Sequence, residues 1–165
     1  MCTALTLKSK DGFHFFGRNM DLEYSFNQSV ILVPRKYQWE NVISKKILPI
    51  KYAILGMGII INNHPLLADG LNEKGLACAG LNFPNYCYHS PEPYPDKINI
   101  GPYDLILWIL SNFETVEEVK AAVSQVNLVN IPFALDIALP TLHWIVYDKQ
   151  DQCIVVEQTK EKFCI

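Results

Sequence analysis

An α+β fold is what the order of patterns in this sequence predicts, and three features carry that expectation. Runs of β-type residues fill most of residues 2–82. Two helix patterns follow close together within residues 102–126. β-type runs then return from residue 142 onward. Strands and helices gathered in separate blocks argue for α+β layers rather than alternating βαβ units on a parallel sheet. No repeat and no dividing linker is visible, so residues 1–165 are expected to form one domain.

Residues 2–7 and 13–17 read as two strands around Lys8-Ser9-Lys10-Asp11-Gly12, where the Asp-Gly pair signals a hairpin. Antiparallel strands bring their outer ends together, so Cys2 and Arg18 are expected at one end of the sheet. Ser29–Val33 is a third strand, closed by Pro34. Residues 35–51 read as a loop with room for a short strand. Residues 52–61 form a long apolar strand, and Gly56 and Gly58 remove side chains where a bulge or a close neighbour requires it. Residues 65–69 are a short strand. Asn72-Glu73-Lys74-Gly75 is a turn, and residues 76–82 return as a strand of small residues that lets another layer approach closely.

Residues 83–101 hold Pro84, Pro91, Pro93 and Pro95 among Tyr86, Tyr88 and Tyr94, a long irregular loop of the kind that is usually functional or mobile. Residues 102–113 are the first clear helix, with Pro102 in its first turn and Asp104 near its positive end. The run Leu105-Ile106-Leu107-Trp108-Ile109-Leu110 leaves little polar face, so this helix is expected between layers or beneath a partner subunit. Thr115-Val116-Glu117-Glu118 has capping-box spacing and opens a second helix to about residue 126, with Val116, Val119, Val123 and Val126 on one stripe. Residues 127–141 are a loop carrying Ile131, Phe133, Leu135 and Ile137. Leu142–Tyr147 and residues 152–157 are a second hairpin around Asp148-Lys149-Gln150-Asp151. Residues 161–165 begin a further strand, and an end within a strand suggests a fragment or a product that stops early.

Composition narrows the function classes. Half of the residues are hydrophobic and 19% are charged, with a formal net charge of −3, so the chain is globular and has no basic block for nucleic acid. The apolar run at 52–61 is too short to span a membrane, and Asn62-Asn63-His64-Pro65 ends it. Residues 3–7 are too few for a signal-peptide core, which makes a cytoplasmic protein the default expectation. Five cysteines (Cys2, Cys78, Cys87, Cys153 and Cys164) include no C-x-x-C pair, and His14, His64, His89 and His143 have no metal-like spacing. Neither a metal nor a cofactor is expected. Cys78 and Cys153 are expected to be small buried hydrophobes.

Cys2 is the residue that points to chemistry. Removal of Met1 would leave it with both a thiol and a free α-amino group. A thiol needs a base to become a good nucleophile. An α-amino group has a pKa of about 7.7–8.0, so roughly a tenth to a fifth of it is neutral at pH 7. One residue can then hold nucleophile and base. Arg18 and Asp21 taken alone would be a surface ion pair, and Asn82 alone a strand-end residue. Their places relative to Cys2 favour a shared site.

Met1-Cys2-Thr3, Phe16-Gly17-Arg18-Asn19-Met20-Asp21, Asn72-Glu73-Lys74-Gly75-Leu76 and Ala79-Gly80-Leu81-Asn82-Phe83-Pro84 together resemble the choloylglycine hydrolase family. So do Leu142-His143-Trp144 and Ile154-Val155-Val156-Glu157. The family comprises bile salt hydrolases and penicillin V acylases, which are N-terminal-nucleophile hydrolases. The resemblance runs in order along the whole chain. It implies an αββα sandwich, commonly a homotetramer, and a conjugated bile salt as substrate.

The resemblance assigns roles residue by residue. Cys2 would be the nucleophile, with its own α-amino group moving the proton. Arg18 would favour the thiolate and contact substrate. Asp21 would orient the α-amino group. Asn82 would donate to the oxyanion, a contact typically worth on the order of 3 kcal/mol in the transition state. Bile salt hydrolases carry asparagine where penicillin V acylases often carry tyrosine, so Asn82 favours the former. Met20, Ala68, Ile131, Phe133 and Ile137 would line the steroid-facing pocket. Family members run to roughly twice this length. Their second half adds another asparagine and another arginine at the site, together with strands of both sheets. Two alternatives stand beside this reading: penicillin V acylase, and a catalytically incomplete truncated product.

Overall fold

A computed structural model describes residues 2–21, 25–135, 137–160 and 163–165. Met1 and residues 161–162 of the expected last strand lie outside the described residues. β1 (Thr3–Lys8) and β2 (His14–Asn19) form the expected antiparallel hairpin, with Thr3 opposite Asn19 and Ala4 opposite Arg18. β3 (Ser29–Val33) falls where the sequence places it. β4 (Gln38–Glu40) and β5 (Ile47–Pro49) pair as a small hairpin inside the stretch expected to be mainly loop. Trp39, buried in the core, anchors it.

β6 (Ile54–Ile61), β7 (His64–Asn72) and β8 (Ala77–Asn82) follow as a meander. β7 is longer than the residues 65–69 expected, because β6 supplies pairing partners along nearly all of it. β9 (Ile98–Ile100), a 3-10 turn at Pro102–Asp104, α1 (Leu105–Asn112) and α2 (Val116–Val123) come next. Then follow β10 (Val126–Leu128), β11 (Leu142–Tyr147), β12 (Cys153–Gln158) and β13 (Phe163–Cys164). Val126 does not extend α2. It starts β10, which pairs in parallel with β9, a long-range contact that no local pattern reveals.

The main sheet has seven strands in the order β13-β12-β11-β8-β7-β6-β3, and every neighbouring pair is antiparallel. α1 lies across β7 and β8. Its residues 105–111 are all buried, and residues 105–110 share one cluster with Trp39, Ile50, Val116, Val119 and Val123. The nearly all-apolar α1 is therefore covered by other parts of this same chain. α2 carries the expected capping box: Glu118 N–H donates to Thr115 Oγ1 at 3.3 Å, and Thr115 N–H donates back to the Glu118 carboxylate at 3.3 Å. The buried Asp148 carboxylate also accepts from Val116 N–H at 2.9 Å, fixing α2 to the turn after β11.

One side chain takes a further role, and one expectation is corrected. Asp104 stands at the N-terminus of α1, where it was expected, and its side chain makes no capping hydrogen bond there. It is fully buried and sits 2.7 Å from His64 Nε2, because the turn that precedes α1 aims it at the start of β7. Cys153 is exposed rather than buried, since it occupies an outward position at the first residue of β12.

The two faces of the sheet differ. Gly70 faces α1, where an added Cβ would lie 3.0 Å from Leu110 Cδ1. Asp69 and Leu71, its neighbours, face the other way, toward the β1–β2 hairpin. The hairpin covers only part of that second face. Val30, Leu32 and Leu55 remain exposed on it.

Candidate active site

Cys2 is half-buried and directly precedes β1. Thr3 N–H donates to Asn19 Oδ1 at 2.9 Å, which ties the residue after Cys2 to the end of β2. Asn19 was not among the sequence candidates. The signal for it was a polar residue across the hairpin from the chain start.

Arg18 leaves β2 on the face that meets the sheet, and its side chain is only 8% exposed. One terminal N–H donates to the Gly80 carbonyl at 2.8 Å, and Nε lies 3.5 Å from Asp69 Oδ2. The other Asp69 oxygen accepts from Met57 N–H at 3.3 Å. Burial raises the Asp69 carboxyl above the ordinary carboxylate range, while the Arg18 charge and the Met57 N–H oppose that rise. Asp69 is thus the partner of Arg18 that the sequence did not single out. Its one local signal is an acidic residue closing the apolar run from Leu66.

Asn82, two residues beyond Gly80, ends β8. Its Oδ1 accepts from Thr141 Oγ1 at 2.8 Å, which leaves the amide N–H groups free to donate. Arg18 reaches Gly80, so the Cys2 end of the hairpin and the Asn82 end of β8 lie together. Ala68 is the extra residue of a β-bulge opposite Met57 and Gly58. Met20 is half-buried just past β2, and Asp21 beside it is exposed.

Residues 131–135 and 137 precede β11, whose first residue Leu142 pairs with Asn82. The side chains of these described residues do not line the cavity described below. Phe133 packs against His64 with ring centroids 4.8 Å apart and edge-on against Tyr103 at 5.5 Å. The Ile131 carbonyl accepts from Tyr103 OH at 3.2 Å. Ile137 is half-buried and bonds through its backbone to Ala134.

A cavity of about 560 Å³ opens between hairpin and sheet, lined among others by Phe16, Arg18, Leu55, Met57, Asp69 and Tyr147. Of the predicted site residues it includes Arg18, and it extends from there away from Asn82. At its far end His14 Nδ1 lies 2.8 Å from Tyr147 OH, which donates to Asp151 at 2.7 Å. Cys78 differs from Cys2: it is fully buried on β8, and burial pushes its thiol up, out of reach of neutral pH. Among the described residues no cluster of three His, Cys, Asp or Glu could hold a metal ion. Nor is any helix among them long and apolar enough to cross a membrane.

Comparison with known proteins agrees with this geometry. Residues 2–165 match the profile of the linear amide C–N hydrolases, choloylglycine hydrolase family. The chain is 56% identical over 162 residues to the bile salt hydrolase/transferase of Clostridium perfringens, covering 98% of this chain and 49% of the relative. It is 44% identical over 163 residues to the bile salt hydrolase/transferase of Lactiplantibacillus plantarum, covering 98% and 48%. The crystal structure of the C2A mutant of the C. perfringens conjugated bile acid hydrolase superposes with a TM-score of 0.94 at 54% identity, covering 99% of this chain and 50% of that one. Penicillin V acylase from Agrobacterium tumefaciens, at 18% identity, shares the fold with a TM-score of 0.76, covering 99% and 48%.

These matches define the class: an N-terminal-nucleophile hydrolase fold, of which this chain carries an N-terminal portion. The chain spans about half the length of the curated relatives it matches. It belongs to the choloylglycine hydrolase family.

Proposed function

We propose that the protein carrying this chain hydrolyses the amide bond linking a bile acid to glycine or taurine. The observation that carries the reading is the 56% identity with a bile salt hydrolase/transferase along nearly the whole chain. The reach of Arg18 from the hairpin that follows Cys2 to Gly80, two residues before Asn82, supports it. In this mechanism Cys2, freed of Met1, attacks the amide carbonyl as a thiolate while its α-amino group takes the thiol proton. The Asn82 amide donates to the oxyanion, and Asp21 orients the α-amino group. Collapse of the intermediate breaks the C–N bond as the ammonium proton passes to the departing amine. Water then cleaves the thioester, releasing the bile acid and restoring the thiol.

Met20, Ala68, Ile131, Phe133 and Ile137 belong to this proposal as steroid-facing residues, as does assembly into a cytoplasmic homotetramer. The test is release of glycine from glycocholate. Cys2→Ala is expected to abolish it, and so is a form that retains Met1. Full activity with Met1 retained would rule out the mechanism. A faster initial rate on phenoxymethylpenicillin than on glycocholate would favour an acylase instead.

A further inference from the structure

We propose that Asp69 is a positioning residue for Arg18, and that the β-bulge at Ala68 exists to aim it. The inference rests on the functional reading above for Arg18's part in turnover, while the geometry stands on its own. Along β7 the helix-facing residue before the bulge is Leu67, buried in the core. After it the helix-facing residues are Gly70, set against Leu110, and Asn72, whose side-chain amide donates to the Leu110 carbonyl at 2.9 Å. In an unbroken strand residues 67 and 69 would share one face, because side chains alternate with a period of two. The register instead pairs Gly58 with Leu67 and Met57 with Asp69, leaving Ala68 as the inserted residue. The insertion turns Asp69 away from the helices and onto the Arg18 face.

The surroundings are shaped to hold that insertion. A Cβ on Gly56 would lie 2.4 Å from the Asp69 carbonyl oxygen, and one on Gly58 would lie 2.2 Å from the Leu66 carbonyl oxygen. Only glycine lets β6 approach the bulged strand so closely at both places. Asp69 then closes the bulge with one carboxylate oxygen, accepting from Met57 N–H, and meets Arg18 Nε with the other. Arg18 is held at its tip by a hydrogen bond to the Gly80 carbonyl, while its buried Nε, which has no hydrogen-bond partner among the described residues, lies 3.5 Å from Asp69 Oδ2 as an ion pair. The Asp69 charge beside Nε favours one orientation of the guanidinium, whereas the Gly80 hydrogen bond alone leaves it free to rotate about that one contact.

The experiment combines kinetics with NMR of the arginine Nε–H groups, of which this chain has two, Arg18 and Arg35. Asp69→Asn keeps an oxygen for Met57 N–H and removes the charge. It is expected to lower kcat/KM on glycocholate about 10²-fold, the scale of a misplaced site group. It should also shift the Arg18 Nε–H resonance and speed its exchange with solvent at least about tenfold, leaving Arg35 unmoved. Asp69→Glu, which restores the charge, should recover part of both. Wild-type kinetics in Asp69→Asn, or an Arg18 signal indifferent to the substitution, would overturn the proposal.

A variant-free measurement guards against a fold that fails. In the unsubstituted protein the Asp69 carboxyl carbon and Arg18 Nε–H shifts should titrate with one midpoint, and independent titration would also overturn the proposal. If the unsubstituted protein does not hydrolyse glycocholate, the functional reading fails instead, and the NMR measurements still decide the placement of Arg18 by Asp69.

Discussion

On β6, Ile54 is fully buried beneath the helices, while Leu55, one residue on, is 53% exposed. The same contrast runs across the sheet. The helix-facing side meets α1 and α2 in one continuous apolar cluster. The opposite side carries the hairpin, Arg18, Asp69 and the cavity, and beyond the hairpin it presents Val30 and Leu32 to solvent. Stability is concentrated on the first face, where burial is complete. The Arg18–Asp69 pair sits on the second, sheltered there by two strands alone. Exposed apolar side chains grouped in this way mark a surface suited to an interaction.

The largest effect separating the faces should come from Ile54→Ala. Removing a fully buried side chain leaves a cavity under α1 and is expected to cost about 2–5 kcal/mol in urea unfolding. Its counterpart on the open face, Leu32→Thr, should change stability by no more than about 0.5 kcal/mol. A loss of similar size at both positions would show that the second face is covered in solution as well.

The smallest expected effect lies at the rim, where Glu73 meets Arg35 Nε at 2.7 Å and Ala53 N–H at 2.8 Å. Those hydrogen bonds, Arg35 first, hold the Glu73 carboxyl down to about 2 from an ordinary 4.5. A depressed acid stabilises the fold above its unfolded value and loses that contribution as pH falls through its folded value. Glu73→Gln should therefore flatten the fall of the thermal midpoint between pH 4.5 and about 2. The pair is solvent-exposed, so added salt should shrink the difference. An unchanged pH slope would remove Glu73 from the acid sensitivity of the fold.

Much of this architecture was legible locally. The Asp11-Gly12 hairpin, the Ser29–Val33 strand, the Thr115 capping box and the buried α1 all follow from short-range patterns that long-range packing did not override. The β4–β5 hairpin was not legible, because its stability comes from Trp39 reaching the core rather than from strand periodicity. The parallel β9–β10 pair escaped for the same reason, as its partners lie on either side of two helices. In the site, Cys2, Arg18 and Asn82 could be named from their motifs. Asp69 could not, because a period-two reading of β7 gives no sign of the extra residue that turns it.

The sequence by itself determined the α+β layering, the hairpin that joins the Cys2 and Arg18 ends, and the motifs that mark a choloylglycine hydrolase. Each depends on residues close together in the chain, where propensity and spacing act directly. Only the tertiary structure decided that Arg18 lies between Gly80 and Asp69, and that Asp104, at the start of α1, meets His64. It also decided that one face of the sheet is closed while the other stays partly open. Those outcomes turn on register and on which layer covers which face, and both are settled by contacts between residues far apart in the chain.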